Sequence, residues 1–177
     1  MRLEIRRYDD PVAQRLVAEV QAEYVQRYGG PDRTPVDPAE FAPPKGLFLV
    51  GVLAGLPVVC GGWRVHEQAV GGAPTVEIKR MYVAAVARRR GLARRVLAEL
   101  EHTAARAGNR YAVLNTGDRQ PEAIALYESA GYHAVSGFGT YRDSPSTRFY
   151  GKPLPPAIDI PARRLSVEGT SQRQPPG

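Results

Sequence analysis

The stretch TVEIKRMYVAAVARRRGLARRVLAEL, residues 75–100, changes its repeat halfway along, and that change decides the fold class. From Thr75 to Val83 apolar β-formers alternate with polar residues, which is the period of a strand. From Gly91 onward Leu92, Val96, Leu100 and Ala104 recur every four residues, so an amphipathic helix follows to about Ala107, closed by Gly108-Asn109. Between them lies a basic turn, Arg88-Arg89-Arg90-Gly91. One detail conflicts with a plain strand: Val76, Ile78 and Tyr82 share a face with charged Arg80.

Outward toward the C-terminus, Tyr111 to Asn115 reads as a short apolar strand. Pro121 to Ala130 reads as a helix with proline in its first turn and Gly131 just past its end. Strands are expected at Tyr132 to Val135 and Thr147 to Lys152. Toward the N-terminus, LFLVGVL (47–53) and PVVCGGWRV (57–65) read as a hairpin, with Gly61-Gly62 suggesting a bulge in its second strand. Leu3 to Arg7 alternates as a strand, and Asp10-Pro11 starts a helix whose stripe is Val12, Leu16, Val20 and Tyr24. Gly29-Gly30-Pro31 ends that helix, and residues 31–46 form a loop with one helical turn near Pro38 to Phe41. The order β-α-β-β-β-α-β-α-β-β implies an α/β (α+β) chain. Its central sheet is mixed and mostly antiparallel, with about seven strands flanked by helices.

Composition narrows the class. The 177 residues are 43% hydrophobic and 24% charged, which suits one globular domain over residues 1–152. Residues 153–177, rich in Pro, Arg, Ser and Gln, read as a flexible tail. No apolar run approaches the roughly 18 residues of a membrane span, and MRLEIRRYDD lacks the apolar stretch of a signal peptide, so a cytoplasmic location is expected. The lone cysteine, Cys60, lies in an apolar run and reads as a small buried residue. His66, His102 and His133 have no metal-ligand spacing, so no metal is expected. The net charge of +6 fits nucleic acid, an anionic membrane or a phosphorylated ligand equally, and only its placement discriminates.

Five arginines, Arg88 to Arg90 with Arg94 and Arg95, crowd one strand-to-helix turn. Free N–H groups at a helix start, the helix dipole and a glycine that admits an approaching ligand make an anion site there. The plain alternative is a solvated basic helix start. Nucleic acid is disfavoured because no aromatic residues interleave these arginines to stack on bases.

Arg88-x-x-Gly91-x-Ala93, directly after the strand, resembles the acetyl-CoA signature of the GNAT family of N-acetyltransferases. Leu114-Asn115-Thr116-Gly117 is similar to that family's fifth strand and following loop. Pro121 to Tyr132 (PEAIALYESAGY) resembles its last core helix and the Gly-aromatic pair after it. The resemblance implies the GNAT-like acyl-CoA N-acyltransferase fold and acetyl transfer from acetyl-CoA to a primary amine of a small or amino-acid-like acceptor, directly within a ternary complex. It implies that backbone groups of Met81, Tyr82 and Val83 hold the pantetheine arm and that the turn Arg88, Arg89, Arg90, Gly91, Leu92, Ala93 and Arg94 cradles the pyrophosphate. A bulge in the strand before the turn is also a family feature, and it would relieve the Arg80 conflict.

Tyr127 matches the family's tyrosine and is expected to give the departing thiolate its proton, against the plain reading that it shares a core face with Ile124. Glu77 matches a frequent carboxylate and is expected to act as base, directly or through water, against a surface pair with Lys79. Gln120 stands where many relatives carry an asparagine on the cofactor arm, and its longer amide is expected to make that contact. Residues of the first helix, loop 31–46 and loop 136–146 are expected to build the acceptor site, with Tyr141, Arg142 and Asp143 either lining its pocket or forming a solvated loop. No membrane or nucleic-acid partner is expected. A homodimer is left open, since relatives often pair but no residue pattern here requires it. Two rival readings remain: an acyl-CoA-binding protein without catalysis and a basic nucleic-acid-binding module.

Overall fold

The computed structural model describes residues 1–156 and 166–167. Strands β1 (Arg2–Ile5), β2 (Gly46–Leu53), β3 (Leu56–Val65), β4 (Thr75–Val83), β5 (Tyr111–Gly117), β6 (His133–Ala134) and β7 (Thr147–Pro153) lie in one sheet. They follow the order β6-β7-β5-β4-β3-β2-β1. A two-residue strand, β8 (Ser166–Val167), adds to the β1 edge in parallel, so the sheet has eight strands where the sequence reading expects about seven. Of the expected tail, Pro153 closes β7 and Leu154 is buried, while 157–165 and 168–177 lie outside the described residues. Within the seven-strand part only β4 and β5 pair in parallel.

Helices cover both faces. Helix α1 (Pro11–Tyr28) starts at Asp10, whose carboxylate accepts from Val12 N and Ala13 N, and ends at Gly29 with φ +78. It packs with a 3₁₀ turn at Pro38–Phe41 on one face of the sheet, around Phe48, Val50 and Cys60. Helices α2 (Leu92–Arg106) and α3 (Pro121–Ser129) cover the other face, around Leu47, Leu49, Trp63 and Val76. Phe48 and Val50 face α1 while Leu47 and Leu49 face α2, so β2 is a buried strand with no polar side.

The Arg80 conflict is resolved by a bulge. Cys60 pairs with Tyr82 but Gly62 pairs with Lys79, so β4 has two residues, Arg80 and Met81, where β3 has only Gly61. Arg80 takes φ +59, and the alternation slips by one. Val76, Ile78 and Met81 then belong to the α2 face, and Tyr82 joins the α1 face. The irregularity sits beside Gly61-Gly62, as the sequence suggests, but the extra residue is in β4 rather than β3. The glycines are there for space: a Cβ on Gly62 would meet the ring of Phe41 at 2.7 Å and that of Phe48 at 2.6 Å.

Candidate active site

Parallel pairing of β4 with β5 stops after Glu77↔Val113, while β4 stays on β3 to Val83 and β5 stays on β7 to Gly117. The two strands therefore part, and a cavity of about 350 Å³ opens at the parting. Ile78 to Met81 line it from β4, Asn115 to Gly117 from β5, and Gln120, Ala123 and Tyr127 from the start of α3. The opposite wall is the end of α1 and its exit, Tyr24, Tyr28 and residues 29–33, with Tyr141, Ser144, Ser146 and Thr147.

Strand β4 leads directly into the arginine turn. Arg89 has φ +60 and Gly91 φ +69, two left-handed residues flanking Arg90, and Gly91 caps α2 with no side chain. The first backbone N–H of this region to find a carbonyl is that of Arg95, which donates to Gly91 at 3.2 Å. Among the described residues the N–H groups of 89–94 donate to no backbone carbonyl. They form a concave row of donors at the positive end of α2, suited to a pyrophosphate.

The arginines divide their duties. Arg88 donates to the Val83 carbonyl at 3.0 Å, pairs with Glu23 of α1 and lies 5.8 Å from the Tyr82 ring centre. Arg94 donates to Ser129 Oγ at 2.5 Å, tying α2 to α3. Arg89 and Arg90 are exposed and have no side-chain partner among the described residues, which leaves them to meet an anion. Leu92 is buried under the turn and anchors it to the core.

Tyr127 lines the cavity and is also buried in the core, 5.8 Å from the Tyr132 ring and 6.4 Å from that of Tyr150. The core packing weighed for it in the sequence is present, and the residue borders the cavity as well. Burial pushes its phenol up, so it stays protonated across the working range. Tyr24 across the cavity is raised as well, by burial and by Tyr127. Gln120 sits at the N-cap position of α3 but makes no capping bond, which leaves its amide free to face the cavity. Met81 borders the cavity while its sulfur packs beside Gly61 on the α2 face, and the Tyr82 side chain turns to α1 and donates to Glu19 at 3.1 Å. Burial and Glu19 push that phenol up to about 12.

Glu77 is buried in a charged cluster. It does not line the cavity. Its Oε2 accepts from Arg64 Nε at 3.0 Å and Nη2 at 2.8 Å, and Lys79 lies 3.4 Å from Oε1. Its partner Lys79 is the one the sequence suggests, but the pair is buried rather than on the surface, and Arg64, which also reaches Glu40 at 2.6 Å, is the stronger tie. Arg142 and Asp143 are exposed and do not line the cavity, whereas Tyr141 does, its hydroxyl accepting from Arg33 N at 2.7 Å.

Several wall residues carry no motif. Asp32, on the α1 exit, accepts from Thr34 N at 2.8 Å and Thr34 Oγ1 at 2.7 Å and pairs with Arg80, with Lys79 at 3.8 Å. Tyr28 reaches across to Gly117 and Arg119 N, into space that any Cβ on Gly117 would fill. The sequence points to the segments of this wall, the first helix and the loops 31–46 and 136–146, and within α1 the four-residue spacing of Tyr24 and Tyr28 is the signal.

The family model described as "Acetyltransferase (GNAT) family" matches residues 14–132. A curated relative, an IAA acetyltransferase of Azospirillum brasilense, is 33% identical over 145 residues, covering 82% of this chain and 92% of the relative. Among solved structures, a protein of Klebsiella pneumoniae subsp. pneumoniae assigned as an acyl-CoA N-acyltransferase superposes with a TM-score of 0.70 at 27% identity, over 86% of this chain and 96% of that one. An aminoglycoside 6'-N-acetyltransferase complexed with coenzyme A shares the fold, with a TM-score of 0.66 at 17% identity over 90% of this chain and all (100%) of that one. Taken with the parted strands and the arginine turn, these matches show that the chain belongs to the GNAT family of acetyltransferases and is an acyltransferase enzyme.

Proposed function

We propose that the enzyme moves an acetyl group from acetyl-CoA to the amine of a small molecule held in the β4–β5 cavity, both substrates being bound together. The observation that carries this reading is the parting of β4 from β5 beside Tyr127, at the end of a strand that runs into an uncapped, arginine-flanked helix start. Residues 89–94 fit the pyrophosphate through their N–H groups, and the unpaired β4 edge through Met81 and Val83 fits an extended arm that hydrogen-bonds like a strand. When bound, the thioester supplies the activated carbonyl.

The rest is the work of this chain. The acceptor ammonium gives one proton to solvent, and its nitrogen forms the C–N bond as the C–S bond breaks. The nitrogen's second proton leaves by water, and the sulfur takes a proton from Tyr127, which solvent then restores. Glu77 stands off the cavity, so it takes part in proton removal only through water. A backbone N–H at the β4 edge supplies the donor to the carbonyl oxygen.

The relative's name, IAA acetyltransferase, does not select an acceptor for this chain. A fold relative at 17% identity that binds coenzyme A supports the donor reading only as far as the shared fold goes. The test is free-thiol release from acetyl-CoA over a panel of amines. Tyr127→Phe is expected to lower kcat by about 10²-fold or more with little change in the KM for acetyl-CoA. Full activity in that variant at every pH would remove Tyr127 from the role, and absence of turnover with any amine would favour a binding protein without catalysis.

A further inference from the structure

The β4 bulge does more than correct the alternation of the strand. It turns Arg80 out of the α2 face and brings its guanidinium to the cavity wall, among Tyr8 and Asp32 of the α1 side. Holding a non-glycine residue at φ +59 costs about 1 kcal/mol, which the surrounding ladder sustains. The side chain is only 3% exposed. It commits Nη1 to Asp32 and Nε to the Tyr8 hydroxyl at 3.4 Å. The second terminal nitrogen has no partner among the described residues. A buried guanidinium with open donors on a cavity wall is a half-filled fork whose natural complement is a carboxylate.

Charge on the wall points the same way. Lys79 is answered by Glu77 and Asp32, and Arg80 by Asp32, whereas Arg33 has no side-chain partner among the described residues. A simple ammonium would enter a wall with a surplus of positive charge. An acceptor that carries its own anion would not. Asp32 lies beside the open guanidinium, so one negative and one positive group stand next to each other, in the arrangement that complements a zwitterion. Asp32 is too acidic to serve as base, since Lys79 and Arg80 outweigh its burial and hold it at about 2, and this suits it to orient an ammonium instead. The cavity, about 350 Å³ before the thioester end takes its share, is at the small end of ligand sites.

We infer that the acceptor is an α-amino acid or close analogue, its carboxylate seated on Arg80 and its amino group directed past Asp32 toward the parting of the strands. This rests on the amine-acetylation reading above. Two measurements test it. In the first, thiol release at saturating acetyl-CoA is compared for each standard α-amino acid, its amide and its decarboxylated amine. The best amino acid is expected to exceed its amide and amine by about 10²-fold or more in kcat/KM. Arg80→Met is expected to collapse that ratio and Arg80→Lys to restore part of it. Equal or better use of the amine by the wild type would overturn the inference.

In the second, titration calorimetry on the wild type with coenzyme A present compares N-acetyl amino acids with the matching N-acetyl amines. Binding that requires the carboxylate supports the seat, and equal binding of both overturns it. This measurement decides even if the Arg80 variants fail to fold. Because it needs no turnover, it also separates failure of the carboxylate seat from failure of amine acetylation.

Discussion

Burial would raise the Asp32 carboxyl, yet Lys79, Arg80 and the Thr34 donors together bring it down from 3.8 to about 2. A group whose folded pKa is depressed stabilises the fold above its unfolded value and loses that contribution as pH falls. For Asp32 the loss runs from about pH 4 to about pH 2 and amounts to about 2 kcal/mol. Asp32→Asn is therefore expected to destabilise the protein at pH 7, and its deficit against wild type in urea unfolding should shrink as pH falls through that window. A deficit unchanged from pH 7 to pH 2 would mean that packing, not charge, holds the α1 exit in place. Asp32 was not legible in the sequence. An Asp after Gly-Gly-Pro reads as turn chemistry, and its partners Lys79 and Arg80 are more than forty positions away. Tyr127 could be singled out in the sequence because the residues around it resemble the family's pattern.

Among the elements, those with a periodic pattern and a stop signal were read almost to the residue. Asp10-Pro11 opens α1, Gly29 closes it, and β4 spans Thr75 to Val83 as its alternation indicates. The two-residue β8 and the 3₁₀ turns at Ala85–Ala87 and Gly139–Tyr141 are too short to carry a period. The start of α2 is the element proposed to hold the donor. Gly91 holds φ +69 with nothing within 4 Å of an added Cβ, so Gly91→Ala meets backbone strain and no clash. That strain, about 1 kcal/mol, is expected to lower Tm by a few degrees and, by tilting the free N–H row, to raise the KM for acetyl-CoA several-fold while leaving kcat nearly unchanged. A fall in kcat alone would place the turn's role in chemistry rather than in holding the donor.

At the scale of the molecule, mixed pairing and helices on both faces follow from element order, which is why the architecture could be read from one sequence. For the wall opposite the parting, the sequence pointed to the segments, the first helix and the loops 31–46 and 136–146, but not to which of their residues meet, since that is set only once the sheet has formed. The donor side lends itself to a measurement on the whole chain. Coenzyme A at 100 times its dissociation constant is expected to add about 2.7 kcal/mol of stability. Hydrogen exchange should slow most at those amides of 78–83 that face the gap. Stabilisation without that local slowing would mean that the arm lies elsewhere.

The parting of β4 from β5 has a consequence for the lifetime of the protein. Among the described residues three pairs, Thr75↔Tyr111 to Glu77↔Val113, are the whole ladder joining β1–β4 to β5–β7. On the proposed reading the donor's arm lies in the vacant slot as a removable strand, and the sheet is complete only while it is there. The empty enzyme would then open along that seam first, as two half-sheets hinged at three rungs, and a protease would find it there. Supply of the acetyl donor would thus govern how long each copy survives as well as how fast it works.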